Sequence, residues 1–215
     1  MRKTLIFDLD GTLLNTLDDL RDSTNFALKK FGYAERSTEE IRKFVGNGLR
    51  MLIVRALPKD STDVDAVLAE MKRHYVQNCM NLTRPYDGIS EMLGKLRADG
   101  FRLAIVSNKA APMVSLLRER YFAETISVAV GESDKIARKP APDMVLEALR
   151  LLDAAREDAV YIGDSDVDLL TAKNSGIPCL SVGWGFRSVE DLHRAGAKTV
   201  YAAPCELYDA IRAGV

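Results

Sequence analysis

Between residue 89 and the end of the chain, short apolar runs alternate with segments of helical periodicity. Runs such as FRLAIV (residues 101–106) and AVYI (residues 159–162) are typical of buried strands. Strands that alternate with helices predict an α/β fold, in which a parallel sheet carries helices on both faces. Ligands bind such a sheet outside the carboxyl ends of its strands, so the residues that follow each strand are the candidates for function.

An all-helical block separates the first predicted strand, residues 3–9, from this alternating region. Residues 17–80 place apolar side chains at helical spacing, with a helix start at Ser37 and a stop at Pro58. We therefore expect a core made of residues 1–15 and 84–215, into which residues 16–83 are inserted as a helical domain.

Four polar clusters lie just past the ends of predicted strands, and a parallel sheet brings these ends to one edge. Asp8 and Asp10 lie at the end of the first predicted strand. Because residues two apart on a strand point to the same face, both carboxylates are aimed at one spot. The other clusters are Ser107-Asn108-Lys109, the loop that contains Lys139, and Gly163-Asp164-Ser165-Asp166-Val167-Asp168.

The chemistry of these clusters is complementary. The acids Asp8, Asp10 and Asp164 offer carboxylate oxygens, which suit a hard cation such as Mg²⁺. The Ser-Asn pair can donate hydrogen bonds to an anion where the next helix begins, and Lys139 adds a fixed positive charge. Such a set predicts a site that binds Mg²⁺ and a phosphoryl group together. In the absence of a Walker-type loop, a carboxylate is the candidate nucleophile.

Several of these signals also have a purely structural interpretation. Ser107 fits an N-cap of the next helix as well as a phosphate ligand. Lys139 competes with other basic residues, Lys109 among them, for the role of the charged group. Another Asp-x-Asp triplet, Asp63-Val64-Asp65, is interpreted as charge at a helix N-terminus. Gly183-Trp184-Gly185 is interpreted as the turn after a strand, with the Trp side chain either packed or exposed at an interface.

Composition limits the class of protein. The chain has 215 residues, 47% of them hydrophobic, and a formal net charge of −1. With charges this balanced, we expect neither nucleic acid nor a membrane surface as a partner. The cysteines Cys79, Cys179 and Cys205 are far apart and lie in apolar-looking segments, so we expect buried, reduced thiols. No apolar stretch of signal or membrane length follows the first residues, which favours a cytoplasmic protein.

Four short motifs occur in order along the chain: Asp8-Leu9-Asp10-Gly11-Thr12, Ser107-Asn108, Lys139-Pro140, and Gly163-Asp164 followed by Asp168. This set resembles the motifs of the haloacid dehalogenase superfamily of phosphatases. The resemblance implies a Rossmannoid core with a parallel sheet, and the helical insertion matches the family's cap after the first strand. Within the family, Leu13-Leu14-Asn15-Thr16 and Val45-Gly46-Asn47-Gly48 are most similar to the phosphoglycolate phosphatases, although many relatives carry Asp at position 15.

The resemblance implies a role for each motif residue. Asp8 attacks phosphorus and becomes an aspartyl-phosphate. Asp10 protonates the leaving oxygen and then deprotonates the water that cleaves the intermediate. Mg²⁺ is held by Asp8, by the main-chain carbonyl of Asp10 and by Asp164.

The remaining motif residues hold the phosphoryl group or support the metal ligands. The resemblance implies that Ser107, Asn108 and Lys139 bind the transferring phosphoryl group. Thr12 is expected behind the metal ligands, and Asp168 is expected either there or as a ligand of a metal-bound water. Asp168 follows the last metal-binding acid by four residues, which predicts that the two share a helix face.

The cap carries the residues that we expect to set substrate specificity: Gly46, Asn47, Gly48 and Arg50. In this interpretation the loop covers the active site, and its N–H groups and the arginine meet the far end of the substrate. The alternative is that Gly-Asn-Gly only links two helices tightly.

The resulting hypothesis is a Mg²⁺-dependent phosphatase that acts on a small phosphorylated metabolite, with 2-phosphoglycolate as the lead substrate. A phosphosugar mutase of the same superfamily and a binding protein without turnover remain open as alternatives. The complete set of motif residues favours an enzyme. The expected partner is a small phosphate ester, with no nucleic acid or membrane, and the protein is expected to be a monomer or a homodimer.

Overall fold

The computed structural model describes residues 3–214, which divide into two compact units. The first unit comprises the residues up to Leu14 together with those from Pro85 onward, and the second unit is Asn15–Arg84. No helix within residues 3–214 is both long enough and apolar enough to cross a membrane.

A six-stranded parallel sheet forms the centre of the first unit. Its spatial order is β5-β4-β1-β6-β7-β8, and each neighbouring pair is parallel. This arrangement confirms the predicted α/β fold. The strands are β1 (Thr4–Phe7), β4 (Arg102–Ala110), β5 (Val128–Glu132), β6 (Ala159–Gly163), β7 (Cys179–Val182) and β8 (Val200–Tyr201).

Helices cover both faces of this sheet, because successive residues of each strand point to opposite sides. Leu5 and Phe7 pack in a cluster with side chains from the helices at residues 89–98, 111–122 and 204–213. Ile6 packs on the opposite face with side chains from the helices at residues 143–152 and 166–175. Each large apolar side chain buried in this way stabilises the fold by about 1.5–3 kcal/mol. The helices are α5 (Ile89–Ala98), α6 (Ala111–Phe122), α7 (Asp143–Leu152), α8 (Asp166–Ser175), α9 (Val189–Arg194) and α10 (Pro204–Ala213).

The second unit is helical, with a core that includes Leu20, Ile41 and Met71. Ser37 begins the second of its helices with a capping box, in which its side chain and that of Glu40 bond each other's backbone N–H groups. The helices are α1 (Leu17–Lys30), α2 (Thr38–Phe44), α3 (Gly48–Ala56) and α4 (Val64–Asn78). A separate two-stranded sheet pairs β2 (Leu14–Asn15) with β3 (Arg84–Pro85).

Some local predictions were wrong. β1 ends at Phe7, two residues earlier than expected, so Asp8 already lies in the loop after the strand. The cysteines are not uniformly buried, since Cys79 is buried, Cys179 is half-buried and Cys205 is exposed. Cys205 lies in the first turn of α10, on the side that faces solvent.

Candidate active site

The carboxyl ends of three neighbouring strands bring the predicted clusters together. β1 lies between β4 and β6, and its last residue, Phe7, is aligned with Ile105 on one side and with Ile162 on the other. The strand order reverses at β1, with β4 and β5 on one side and β6, β7 and β8 on the other. An open α/β sheet forms its ligand crevice at such a reversal. The residues that follow β1 and β6 therefore leave the sheet side by side.

Asp8 and Lys139 form the buried centre of the site. Nζ of Lys139 lies 2.8 Å from Oδ1 of Asp8 and 2.8 Å from Oδ1 of Asp168, and it donates to the hydroxyl of Tyr161 at 3.0 Å. The ammonium thus contacts two carboxylates and one hydroxyl. Oδ1 of Asp8 also accepts the N–H of Leu9 at 2.7 Å. Within residues 3–214, Oδ2 of Asp8 accepts no hydrogen bond.

Burial sets the electrostatics of this pair. It raises the pKa of Asp8 well above the usual range, an effect that Lys139 opposes and that Asp168 and Asp164 reinforce. Burial by itself would lower the pKa of Lys139. The Asp168 and Asp8 carboxylates outweigh that effect and raise the pKa of Lys139 well above its usual range. Lys139 therefore supplies a permanent positive charge.

Asp168 holds Lys139 and shares no helix face with Asp164, so that prediction was wrong. Helix α8 begins at Asp166, and Asp164 lies in the preceding turn. Oδ2 of Asp168 accepts the N–H and the hydroxyl of Ser165 at 3.1 and 2.6 Å, which forms a capping box. Its Oδ1 accepts from the lysine and, at 3.1 Å, from the Tyr161 hydroxyl. Ser165 thus fixes the carboxylate through Oδ2, and the carboxylate positions the ammonium through Oδ1.

Asp164 is held by two segments that are distant in sequence. The Thr12 hydroxyl donates to its Oδ1 at 3.0 Å, and the main-chain N–H of Phe186 donates to its Oδ2 at 2.7 Å. Burial, followed by the nearby Asp168 carboxylate, raises the pKa of Asp164 to about 7 against these two hydrogen bonds. Thr12 thus contacts the acid that it was expected to support.

The turn formed by Gly183, Trp184 and Gly185 packs against Asp164. A Cβ placed on Gly185 would lie 2.3 Å from Cβ of Asp164, far inside the carbon–carbon contact distance of about 3.5–4.0 Å. Nε1 of Trp184 donates to the main-chain oxygen of Thr12 at 3.0 Å, so the packed alternative for this side chain is the one found. The turn therefore aligns Asp164 from one side.

Asp10 forms an ion pair with Lys109. Nζ of Lys109 lies 2.7 Å from Oδ1 of Asp10, and the Ser107 hydroxyl approaches Oδ2 at 3.4 Å. The Lys109 side chain is only 4% exposed, while that of Asp10 is 20% exposed. The sequence presented Lys109 only as a competitor of Lys139. The structure places both lysines in the site, each beside a different acid.

The Ser107-Asn108-Lys109 cluster lies within β4 and not after it, because the strand continues to Ala110. Its pairing with β5 is irregular between Ser107 and Ala110, a feature often found beside active sites. Ala110 is the N-cap of α6, so the N-cap interpretation of Ser107 was wrong. Asn108 donates from Nδ2 to the main-chain oxygen of Lys139 at 3.0 Å and thereby fixes the lysine-bearing loop.

Acidic side chains outnumber lysines in the site by four to two. Oxygens of Asp8, Asp164 and Asp168 lie within 4.8 Å of one another. A compact set of carboxylate oxygens fits a hard divalent cation. The four acids are Asp8, Asp10, Asp164 and Asp168, and the two lysines are Lys109 and Lys139.

The predicted specificity loop belongs to the second unit. Gly46 and Gly48 have φ angles of 113° and 80°, in the left-handed region that glycine adopts without strain. Arg55, which the sequence did not single out, donates to the main-chain oxygen of Phe44 at 2.7 Å and to Oδ1 of Asn47 at 2.8 Å. One guanidinium thus holds the loop at both of its ends. Contact between this loop and the substrate stays a prediction.

Arg50 pairs with Asp65 on the surface of the second unit, and both side chains are more than half exposed. Asp65 lies in the first turn of α4, in agreement with the predicted helix N-terminal charge. The role of Arg50 in specificity also stays a prediction.

Sequence reasoning missed contributions that depend on distant parts of the chain. Tyr161 was counted as an apolar residue of its strand, although a hydroxyl in an otherwise apolar run is a signal that it has a buried partner. No local pattern indicates that the N–H of Phe186 meets Asp164, 22 residues away.

The chain is similar in sequence to a known family and to individual known proteins. Residues 5–182 match the family model described as haloacid dehalogenase-like hydrolase. The chain is 35% identical over 191 residues to a phosphoglycolate phosphatase of Mesorhizobium japonicum, covering 86% of this chain and 84% of the relative. It is 33% identical over 217 residues to that of Nitrosospira multiformis, covering 98% and 94%.

Solved structures show the same fold. A Lactobacillus delbrueckii protein with a provisional phosphoglycolate phosphatase assignment superimposes with a TM-score of 0.95 at 36% identity, covering 98% of each chain. The protein CbbY from Rhodobacter sphaeroides, solved in complex with phosphate, superimposes with a TM-score of 0.77 at 26% identity, covering 96% of each chain.

Proposed function

The chain belongs to the haloacid dehalogenase-like hydrolases and is a phosphoric monoester hydrolase, and we propose that Asp8 is its nucleophile. The observation that carries the proposal is the environment of Asp8. Its Oδ1 is held by Lys139 and the N–H of Leu9, while its Oδ2 is left without a hydrogen bond from the described residues. A carboxylate oriented through one oxygen presents the other for attack.

The reaction divides into two transfers. Oδ2 of Asp8 attacks phosphorus, the bond from phosphorus to the ester oxygen breaks, and Asp10 gives its proton to that leaving oxygen. A water molecule then attacks the aspartyl-phosphate and gives its proton to Asp10. Inorganic phosphate departs and Asp8 is regenerated. Lys139, Ser107 and the N–H groups near Asn108 hold the phosphoryl oxygens during both transfers.

Mg²⁺ is the cation that we propose for the site, held by Asp8, the main-chain carbonyl of Asp10, and Asp164. When bound, it supplies positive charge that offsets the negative charge of the phosphoryl oxygens. Asp164 is aligned for this role by Thr12 and by the N–H of Phe186. Asp168 is assigned to Lys139, because both of its oxygens already accept hydrogen bonds.

2-Phosphoglycolate is the lead substrate. The relatives named above are phosphoglycolate phosphatases at 33–35% identity, and each alignment covers at least 84% of both chains. The loop from Gly46 to Gly48, together with Arg50, is proposed to meet the end of the substrate that is distant from phosphorus.

Substitution of the nucleophile tests the proposal. Asp8→Asn should reduce hydrolysis of 4-nitrophenyl phosphate and 2-phosphoglycolate by at least about 1,000-fold, since an amide cannot attack phosphorus. Asp166→Asn is the matched control, because this acid lies in the Gly163–Asp168 cluster but its side chain is 62% exposed. Activity that survives in Asp8→Asn would show that another group attacks.

Two further measurements separate the alternatives. Acid-quenched wild-type protein should carry a phosphoryl adduct on Asp8, and turnover should stop when EDTA removes the cation. Release of inorganic phosphate distinguishes a hydrolase from a mutase, which would return the phosphoryl group to a sugar. A protein that only binds phosphate esters would show no adduct and no phosphate release.

A further inference from the structure

Lys109 has no task in the reaction described above, although it is a nearly buried lysine in contact with Asp10. Burying an ammonium group is costly, and it is usually retained where its charge is needed. We infer that Lys109 binds a carboxylate of the leaving group, so that preferred substrates carry an anionic group one carbon from the ester oxygen. This inference rests on the proposed role of Asp10 as the acid that meets the leaving oxygen.

The acids of the site differ in their exposure to solvent. Asp168 and Tyr161 are fully buried behind Lys139, at the end that we assign to the phosphoryl group. At the other end lies Asp10, whose side chain is 20% exposed against 11% for Asp8. A leaving group has to extend away from the buried Lys139 and past the more exposed Asp10, and Lys109 is the lysine in contact with that acid.

Distances place a short leaving group within reach of Lys109. A leaving oxygen that receives a hydrogen bond from Asp10 lies about 3 Å from that carboxyl group. Nζ of Lys109 is 2.7 Å from Oδ1 of Asp10, so the leaving oxygen falls within about 6 Å of the ammonium. A carboxylate one carbon away has its oxygens about 3–4 Å from the ester oxygen. Such a carboxylate can therefore contact the ammonium directly.

The two lysines divide the charge of such a substrate. Lys139 is directed at the phosphoryl end by Asp8, Asp168 and Tyr161. Lys109 leaves a second positive charge beside the leaving oxygen. An ester with one anionic group at each end is complementary to both lysines. An ester with a neutral leaving group is complementary only to Lys139. Hydrogen bonds between charged groups in a site shielded from water are the strong ones.

The test compares two esters in two proteins. 2-Phosphoglycolate and 2-hydroxyethyl phosphate have leaving groups of similar size, but only the first carries a carboxylate. Lys109→Met keeps the length of the side chain and removes its charge. The ratio of kcat/KM for the two esters should fall about 10- to 100-fold in Lys109→Met. Lys109→Arg should retain part of the preference, and Lys173→Met, an exposed lysine of α8, should retain all of it.

The outcomes separate this inference from the proposed function. An unchanged ratio, with both esters slowed equally, overturns the inference and shows that Lys109 acts only on Asp10. A wild-type enzyme that hydrolyses both esters equally well also overturns it, while the phosphatase proposal stands. A wild-type enzyme that hydrolyses neither these esters nor 4-nitrophenyl phosphate overturns both. Thermal unfolding of each variant identifies a loss of folding, which would lower both rates without changing their ratio.

Discussion

Gly185 lies so close to Asp164 that a single methyl group at this position should weaken cation binding. The ideal Cβ of an alanine would lie 2.3 Å from Cβ and 2.4 Å from Oδ2 of Asp164. Carbon atoms in contact are about 3.5–4.0 Å apart, so the carboxylate or the turn has to move by more than about 1 Å. The φ angle of Gly185 lies outside the left-handed region, so the clash is the direct cause of any effect.

The expected size of this effect follows from what the movement would disrupt. Phe186, the next residue, donates its N–H to Asp164 at 2.7 Å, and a displaced turn loses that bond. Loss of a partner to a buried acid costs about 1–3 kcal/mol, and groups that orient metal ligands change metal affinity by about 10- to 100-fold. We expect Gly185→Ala to raise the Mg²⁺ concentration for half-maximal activity by that factor.

The assay is a titration of activity with Mg²⁺ after treatment with EDTA, together with thermal unfolding. Gly94→Ala is the matched control, because Gly94 lies in helix α5 with nothing within 4 Å of its Cβ position. Alanine there should leave the titration unchanged and stabilise the helix by about 1 kcal/mol. If Gly185→Ala lowers stability but is activated at the wild-type Mg²⁺ concentration, the turn does not align Asp164 for a cation.

Two further substitutions test residues that position others. Tyr161→Phe keeps the ring but removes the hydroxyl between Lys139 and Asp168, so kcat for 4-nitrophenyl phosphate should fall about 3- to 10-fold with little change in KM. A matched Tyr208→Phe, which only loses a bond to Asp99, should leave both unchanged, and equal kinetics in the two variants would contradict the role of Tyr161. Arg55→Met removes both bonds to the loop at Asn47 and should raise KM for 2-phosphoglycolate about 3- to 10-fold, whereas an unchanged KM would show that the loop takes no part in substrate binding.

The α/β fold could be predicted because it depends on local periodicity. Helix α7 lies in the region where helices were expected to alternate with strands, since its apolar face and the proline-rich loop before it are both local signals. The extent of β4 could not be predicted in the same way. The polar residues at its end predict a loop, but β4 pairs with β5 and extends to Ala110. Tertiary pairing overrides a weak local preference of this kind.

The candidate site shows the same division. Asp8, Asp10, Lys139 and Asp164 could be identified because each lies near the end of a strand, and the parallel sheet brings those ends together. The residue that each of them contacts could not be predicted from the sequence. Asp168 was expected behind the metal ligands or on a metal-bound water, and its distance to Lys139 depends on where α8 begins relative to β6.

The type of chemistry could be predicted from local patterns, since the order of apolar runs and helices brings acids and a lysine to one edge of the sheet. The distribution of charges within the site depends on tertiary packing. That packing places Lys139 with Asp8 and Lys109 with Asp10, and it places the turn at Gly185 against Asp164. Such pairings depend on distances between segments far apart in the chain. Periodicity carries no information about those distances, because they are set by how helices and turns pack over the end of the sheet.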